Sequence, residues 1–141
     1  VAGSFKETIM IGDVVEIVED SFSEIGAEDR ERFISPKELG LNVEIAFSNK
    51  RKTRLKQAKG ITVNTVHGTD YSIKKITSRL NPDLESMEGA AVMMVCRRFN
   101  TPSLQIRAVS NYVKIRSKKN WNLPLAINNL NKEAIRFINA L

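Results

Sequence analysis

The chain has 141 residues, of which 42% are hydrophobic, 27% charged and 6% aromatic, the composition of one globular domain that buries a core without a disulfide or metal staple. Its single cysteine, Cys96, excludes an intrachain disulfide and fits a reducing, cytoplasmic setting, and no apolar run approaches the ~18 residues of a membrane span. The net charge of +6 is uneven: residues 1–44 carry 11 acids and 4 bases, residues 45–141 carry 5 acids and 18 bases.

Gly12-Asp13 followed by Val14-Val15-Glu16-Ile17-Val18 reads as a turn and a strand. Residues 22–42 are polar, with Pro36 and two glycines, and read as a long loop, and 43–47 as a short strand. Residues 49–59 read as an exposed helix closed by Gly60. The β-branched run Ile61-Thr62-Val63-Asn64-Thr65-Val66 reads as a strand ending at His67-Gly68. Asp70 suits the N-cap of a helix over 71–80, which Asn81-Pro82 ends. Leu84-Glu85-Ser86 reads as a short extended piece, and a helix starts near Glu88. Val92, Val95, Cys96 and Phe99 have the spacing of a buried stripe on that helix, which makes Cys96 a core residue. Ser103–Val109 is the next strand. Pro124 opens a last helix, with Leu130, Ala134, Phe137 and Leu141 as its buried stripe. Strands alternating with helices in the second half imply βαβ units and a largely parallel sheet.

Two basic groups stand out. Lys50, Arg51, Lys52, Arg54, Lys56 and Lys59 lack interleaved aromatics and read as the solvated face of the 49–59 helix. A nucleic-acid-binding module using this patch is the alternative from a different class, and its mark would be steeply salt-dependent binding. Arg107, Lys114, Arg116, Lys118 and Lys119 flank the end of a strand, where α/β folds place ligand loops.

Two segments carry the chemistry. Glu85-Ser86-Met87-Glu88-Gly89-Ala90-Ala91 sets an acid at the mouth of an apolar helix, with small residues behind it that allow close approach. Glu88 could equally serve the helix dipole there. Ile106-Arg107-Ala108-Val109-Ser110-Asn111 delivers an arginine and then a Ser-Asn pair at the carboxyl end of a strand, where an ordinary turn is the plainer reading.

Taken together, Met-Glu-x-Ala-Ala, a helix, and Arg-Ala-x-Ser-Asn resemble the purine nucleosidase and nucleoside phosphorylase superfamily. Gly12-Asp13-Val14-Val15 and the strand before His67-Gly68 extend the likeness. Within it, Glu85–Ala91, Asn64–Gly68, Arg107–Val113 and Trp121-Asn122-Leu123-Pro124-Leu125-Ala126 resemble the futalosine hydrolase branch, which serves menaquinone biosynthesis and is similar to methylthioadenosine/S-adenosylhomocysteine nucleosidase. The resemblance implies an α/β fold: a three-layer α/β/α nucleoside-phosphorylase-like domain over 1–141 with a mixed central sheet. It implies an N-ribosyl hydrolase that releases hypoxanthine and acts as a homo-oligomer, a dimer or larger. No metal-ligand cluster is present in the sequence, and no cofactor is expected.

The same resemblance assigns roles. Glu88 would bind the ribose 2′- and 3′-hydroxyls, since a carboxylate accepts two hydroxyl hydrogens, and would stabilise oxocarbenium-like charge. Met87 would pack on the sugar. Thr65 and Val66 are the candidates for base contact, and no aromatic stacker is evident in their strand. Arg107 would point to the same pocket and orient Asn111 or touch the substrate. Adenine-specific relatives carry Asp after Ser110, where it donates a proton toward N7; here the residue is Asn111. A 6-oxopurine presents acceptors at both N7 and O6. An amide can donate to O6 and accept from N7 once that nitrogen is protonated, so Asn111 predicts a hypoxanthine or guanine leaving group. His67, the sole histidine, reads as a loop residue without a required catalytic role. The Lys114–Lys119 group is a candidate for the carboxylate of futalosine's benzoate arm.

In the family a glutamate near the first strand activates water. No matching acid is found in 1–44, and Val1-Ala2-Gly3-Ser4-Phe5 resembles an interior strand and loop. The chain is therefore expected to be a carboxyl-terminal portion lacking the N-terminal strands, weak or inactive alone, with an open sheet edge that favours association. The alternatives within the fold are a purine nucleoside phosphorylase, marked by phosphate dependence, and a methylthioadenosine/S-adenosylhomocysteine nucleosidase, which Asn111 disfavours.

Overall fold

The computed structural model describes residues 1–48, 53–115 and 117–140. Among these residues eight strands, β1 (Ala2–Ser4), β2 (Val14–Phe22), β3 (Ala27–Asp29), β4 (Arg32–Ile34), β5 (Ala46–Ser48), β6 (Lys56–Thr62), β7 (Leu84–Ser86) and β8 (Ile106–Tyr112), accompany three α-helices, α1 (Asp70–Leu80), α2 (Gly89–Arg98) and α3 (Leu123–Asn139). Six strands form one sheet in the order β5-β2-β6-β7-β1-β8, and β2 also pairs with β8, so the sheet closes on itself. Of these six strands, only β5 is left with a single partner strand among the described residues. The sheet is mixed. The β2–β6, β6–β7 and β1–β8 pairs are parallel, and β1–β7, β2–β5 and β2–β8 are antiparallel. The mixed α/β class follows the expectation from the family likeness, and the largely parallel sheet inferred from alternation alone does not hold. Nor does a widely open edge, because β8 returns to β2.

The core forms three clusters. Ala2, Ile9, Val15, Ile17, Ala58, Leu84 and Val109 fill the centre of the sheet. Phe47, Ala90 and Met93 hold α2 against it, and Ile61, Val63 and Ile76 hold α1. Helix α1 begins in a capping box: Thr69 accepts from the Ser72 amide and the Ser72 hydroxyl answers the Thr69 amide. It ends on Asn81 in the left-handed region at φ 43°. Helix α3 begins at Asn122, whose side chain accepts from the Leu125 amide, with Pro124 in its first turn.

Several sequence expectations change. Residues 56–59 belong to strand β6 rather than a helix, and Gly60 is a strand residue opposite Asp20 and Leu84. Before Ile61 the buried positions of β6 are Ala58 and Gly60, too small to announce a strand, while Lys56 and Lys59 are exposed. Lys50, Arg51 and Lys52 lie outside the described residues, as do Arg116 and Leu141. The 22–42 segment is not all loop: β3 and β4 form a hairpin, Ala27 opposite Ile34. The stripe expected on α2 is reversed. Val92, Val95 and Phe99 are exposed, Cys96 is half-buried, and α2 buries Gly89, Ala90 and Met93. On α3 the buried residue is Ala126, with Leu130, Ala134 and Phe137 half-buried in line with it.

Candidate active site

The register of three strands builds the site. Gly3 of β1 lies opposite Glu85 of β7 on one side and Asn111 of β8 on the other. A Cβ on Gly3 would sit 3.2 Å from Asn111 Nδ2 and 3.6 Å from Glu85 Cγ. The missing side chain thus leaves room between those two groups, and a cavity of about 290 Å³ opens there. Its walls include His67, Glu85, Ser86, Met87, Glu88, Ser110, Asn111, Tyr112 and Trp121.

Asn111 is held in one orientation. The Ser110 hydroxyl donates to its Oδ1 at 2.8 Å, and its Nδ2 donates to the Tyr112 carbonyl at 3.2 Å. An amide nitrogen carries two hydrogens, so one remains for a ligand acceptor. Ser110 and Asn111 are both buried.

Glu88 occupies the N-cap position of α2, but its side chain makes no capping bond. The carboxylate turns instead to Arg107 Nη1 at 3.1 Å, with the arginine side chain mostly buried and the glutamate mostly exposed. Arg107 does not itself line the cavity; it reaches the site through Glu88. The Ser86 hydroxyl is buried in the cavity wall with no hydrogen-bond partner among the described residues.

The α2 N-terminus is anchored from below. The Ala90 amide donates to Thr62 Oγ1 at 2.7 Å, and the Thr62 hydroxyl donates to Asp20 Oδ1 at 2.9 Å. Gln105 Nε2 donates to Asp20 Oδ2 at 2.8 Å. Burial pushes the Asp20 carboxyl above the usual aspartate range, more than the bonds from Gln105 and Thr62 and the Arg107 charge lower it. Any side chain on Gly89 would run into Asp20 and Gln105, so glycine here lets the helix start directly on this network.

Of the residues singled out in the sequence, the structure gathers Met87, Glu88, Ser110, Asn111 and Val66 at one cavity, with Arg107 bonded to Glu88. Thr65 is exposed and lies away from the cavity walls, because β6 ends at Thr62. Lys114 lines the cavity and pairs with Glu7 at 2.8 Å. That hydrogen bond holds Lys114 above the usual lysine range. The basic side chains of β6 also find local partners: Lys59 pairs with Glu19 and Lys56 donates to the Thr8 carbonyl.

Sequence reading missed the buried pair of Glu85 and His67, and it missed the aromatic walls, Tyr112 and Trp121. The aromatics come from the end of β8 and the segment before α3, not from the strand in which a stacking residue was sought. Glu85 adjoins the Met-Glu motif, but only the pairing of β7 with β1 and β6 shows that it faces inward. Among the described residues no group of three or more His, Cys, Asp or Glu side chains could hold a metal ion, and no helix is long and apolar enough to cross a membrane.

The sequence and the fold are similar to those of known proteins. A futalosine hydrolase from Thermus thermophilus is 31% identical over 103 residues, covering 73% of this chain and 44% of that enzyme. The native structure of a futalosine hydrolase from Helicobacter pylori superposes with a TM-score of 0.83 at 16% identity, covering all of this chain and 66% of that one. A 5′-methylthioadenosine/S-adenosylhomocysteine nucleosidase from Neisseria meningitidis, in complex with methylthio-immucillin-A, superposes with a TM-score of 0.79 at 18% identity, covering 99% and 67%. The chain thus spans less than half the length of the Thermus enzyme and about two thirds of the two solved chains. The sequence profile of the phosphorylase superfamily matches residues 1–141 throughout, and with the fold in agreement the chain belongs to that superfamily.

Proposed function

We propose that this chain carries the ribose and base contacts of a purine N-ribosyl hydrolase of the futalosine hydrolase type, which releases hypoxanthine from futalosine. The observation that carries the reading is Asn111. It stands in the cavity wall where adenine-specific relatives carry an acid, oriented by Ser110 so that an amide hydrogen stays available. A 6-oxopurine offers O6 and N7 as acceptors, whereas adenine offers a donor at its 6-position. The contact to the ring nitrogen strengthens as the base takes up a proton, so it favours the transition state over the ground state.

Glu88 would take the ribose 2′- and 3′-hydroxyls, with Arg107 holding it at the mouth of α2. Its charge lies where the sugar becomes cationic as the glycosidic bond lengthens. Met87, exposed on the cavity rim, would cover the sugar. Tyr112 and Trp121, both in the cavity wall, would supply aromatic contact to the base. Lys114 would meet the carboxylate of futalosine's benzoate arm by exchanging its partner Glu7 for the substrate. Association as a homo-oligomer would cover the exposed Val92, Val95 and Phe99 of α2. The lone Cys96 fits a cytoplasmic site of action.

The test is a set of melting curves with hypoxanthine, with adenine and with neither. A ligand that binds only the folded state raises the midpoint, by about 2.7 kcal/mol of stability at a concentration 100 times its Kd. Hypoxanthine should raise it and adenine should not, and Asn111→Asp should reverse the preference. A shift with adenine alone in the parent protein would overturn the substrate assignment. Hypoxanthine release that depends on inorganic phosphate would make the enzyme a phosphorylase instead.

A further inference from the structure

Glu85 and His67 form the tightest acid–base contact at the cavity. Glu85 Oε2 lies 2.6 Å from His67 Nδ1, and the Glu85 carboxylate also accepts the His67 backbone amide at 3.2 Å. Glu85 is 4% exposed. Burying a carboxylate is costly unless donors are aimed at it, and here both donors come from one residue. The contact fixes the imidazole: Nδ1 carries the hydrogen shared with the carboxylate, which leaves Nε2 as the ring nitrogen that can exchange a proton. Phe5 packs edge-on against the ring at 6.2 Å between centroids. No described group bonds Nε2.

The pair also lies in the right place. Glu85 and Asn111 flank Gly3 in one row across three strands, and His67, bonded to Glu85, lines the same cavity as Asn111. Asn111 can recognise a 6-oxopurine, but an amide cannot surrender a proton to it. Of the other titratable side chains in the wall, Glu88 is paired with Arg107, Lys114 with Glu7, and Tyr112 has the Lys114 ammonium over its ring.

We propose that His67, clamped by Glu85, is the acid that protonates the departing purine, with Asn111 as its recognition partner and Glu85 as the positioning residue; this rests on the reading of the site as an N-ribosyl hydrolase. As the C1′–N9 bond breaks, its electron pair passes to the purine, and the Nε2 proton of His67 moves to a ring nitrogen of that purine. Neutral hypoxanthine leaves. Water adds at C1′, and its surplus proton goes to solvent, from which His67 is reprotonated.

His67 is the sole histidine, so its ring nitrogens give one unambiguous pair of 15N signals. Saturating hypoxanthine should move the Nε2 signal together with the Asn111 side-chain amide. If the Asn111 amide moves and His67 does not, the acid role falls while the hydrolase reading stands. If neither moves, both fall. The second arm compares leaving groups in single turnovers with protein in excess. Hypoxanthine release from futalosine needs a proton at the base; nitrophenolate release from 4-nitrophenyl β-D-ribofuranoside does not. His67→Gln should slow the first by about 10²-fold or more and the second by less than about 3-fold. Glu85→Gln should bias the two rates in the same sense with a smaller loss. Equal slowing of both substrates, or of neither, would overturn the proposal.

Discussion

Thr62 joins the fold to the site through one hydroxyl, and Thr62→Val isolates that link. Valine keeps the approximate shape of threonine and the β-branching that suits β6, and exchanges only the hydroxyl for a methyl. Two bonds are lost. The Ala90 amide loses its acceptor at 2.7 Å, and Asp20 Oδ1 loses its donor at 2.9 Å. The amide becomes a buried donor with no partner, which costs about 1–3 kcal/mol, and the carboxylate loses a bond of comparable worth. Because the two share one network, their losses do not add fully, and about 2–4 kcal/mol is expected. For a chain of this size that is a fall in Tm on the order of 10 °C. Urea unfolding with the slope unchanged would measure it directly. Thr62→Ser, which keeps the oxygen and drops a methyl, should cost only about 1 kcal/mol. The loosened α2 N-terminus should also weaken any ligand held by Glu88, beyond the fraction of protein unfolded. A Thr62→Val stability within about 0.5 kcal/mol of the parent, or Thr62→Ser as damaging as Thr62→Val, would refute the view that this hydroxyl anchors the helix.

Asp20 makes a prediction about pH. Its folded-state carboxyl is raised by burial above the ordinary 3.8, so its ionisation opposes folding at neutral pH, and that cost is relieved as pH falls through the raised value toward 3.8. Asp20→Asn, which removes the titration and lets Gln105 turn its amide to match, should therefore look most favourable relative to the parent at pH 7 and lose that advantage by about pH 4; unfolding curves across the range with a pH-independent difference would contradict the assignment. Gly3→Ala should place a methyl 2.9 Å from Val113 Cγ2 and 3.2 Å from Asn111 Nδ2. It should abolish the hypoxanthine-induced melting shift at a stability cost of about 1–3 kcal/mol, and an unchanged shift would show that the cavity beside Gly3 is not the base site. Glu88→Gln should leave free hypoxanthine binding within about 2-fold while weakening a hypoxanthine riboside about 10-fold or more; calorimetric titration with both ligands separates the two, and equal weakening would remove Glu88 from the ribose.

Features declared by adjacent residues were legible in the sequence. Helix α1 announced itself through Asp70, which proves to be its first residue with Thr69 as the cap, and through its break at Asn81-Pro82, and α3 through Pro124. The Met87-Glu88-Gly89 and Ser110-Asn111 segments marked the ends of β7 and β8, and the cavity lies there. Helix α2 was found but turned the wrong way. Its spacing gave a clear apolar row, yet Gly89 lies directly against Asp20 and Gln105 and the Ala90 amide is bonded to Thr62, which turns Gly89, Ala90 and Met93 inward and the expected row outward. The first half of strand β6 escapes the sequence for a similar reason. Its lysines are exposed, and its buried residues before Ile61 are the small Ala58 and Gly60, the latter with Ile17 and Asp20 of the neighbouring strand packed against it.

The sequence by itself determined the superfamily and the α/β class, and it singled out Glu88 and Asn111 as candidates for recognition, since those depend on short runs with local chemical meaning. Tertiary structure alone decided that Gly3, from the opposite end of the chain, separates Glu85 from Asn111, that Glu85 clamps His67, and that Asp20 underlies the start of α2. Each of these joins residues far apart in sequence, and strand pairing with a side-chain period of 2 turns a register into a set of neighbours. No pattern within one segment encodes that register; it is settled only when β1 enters between β7 and β8.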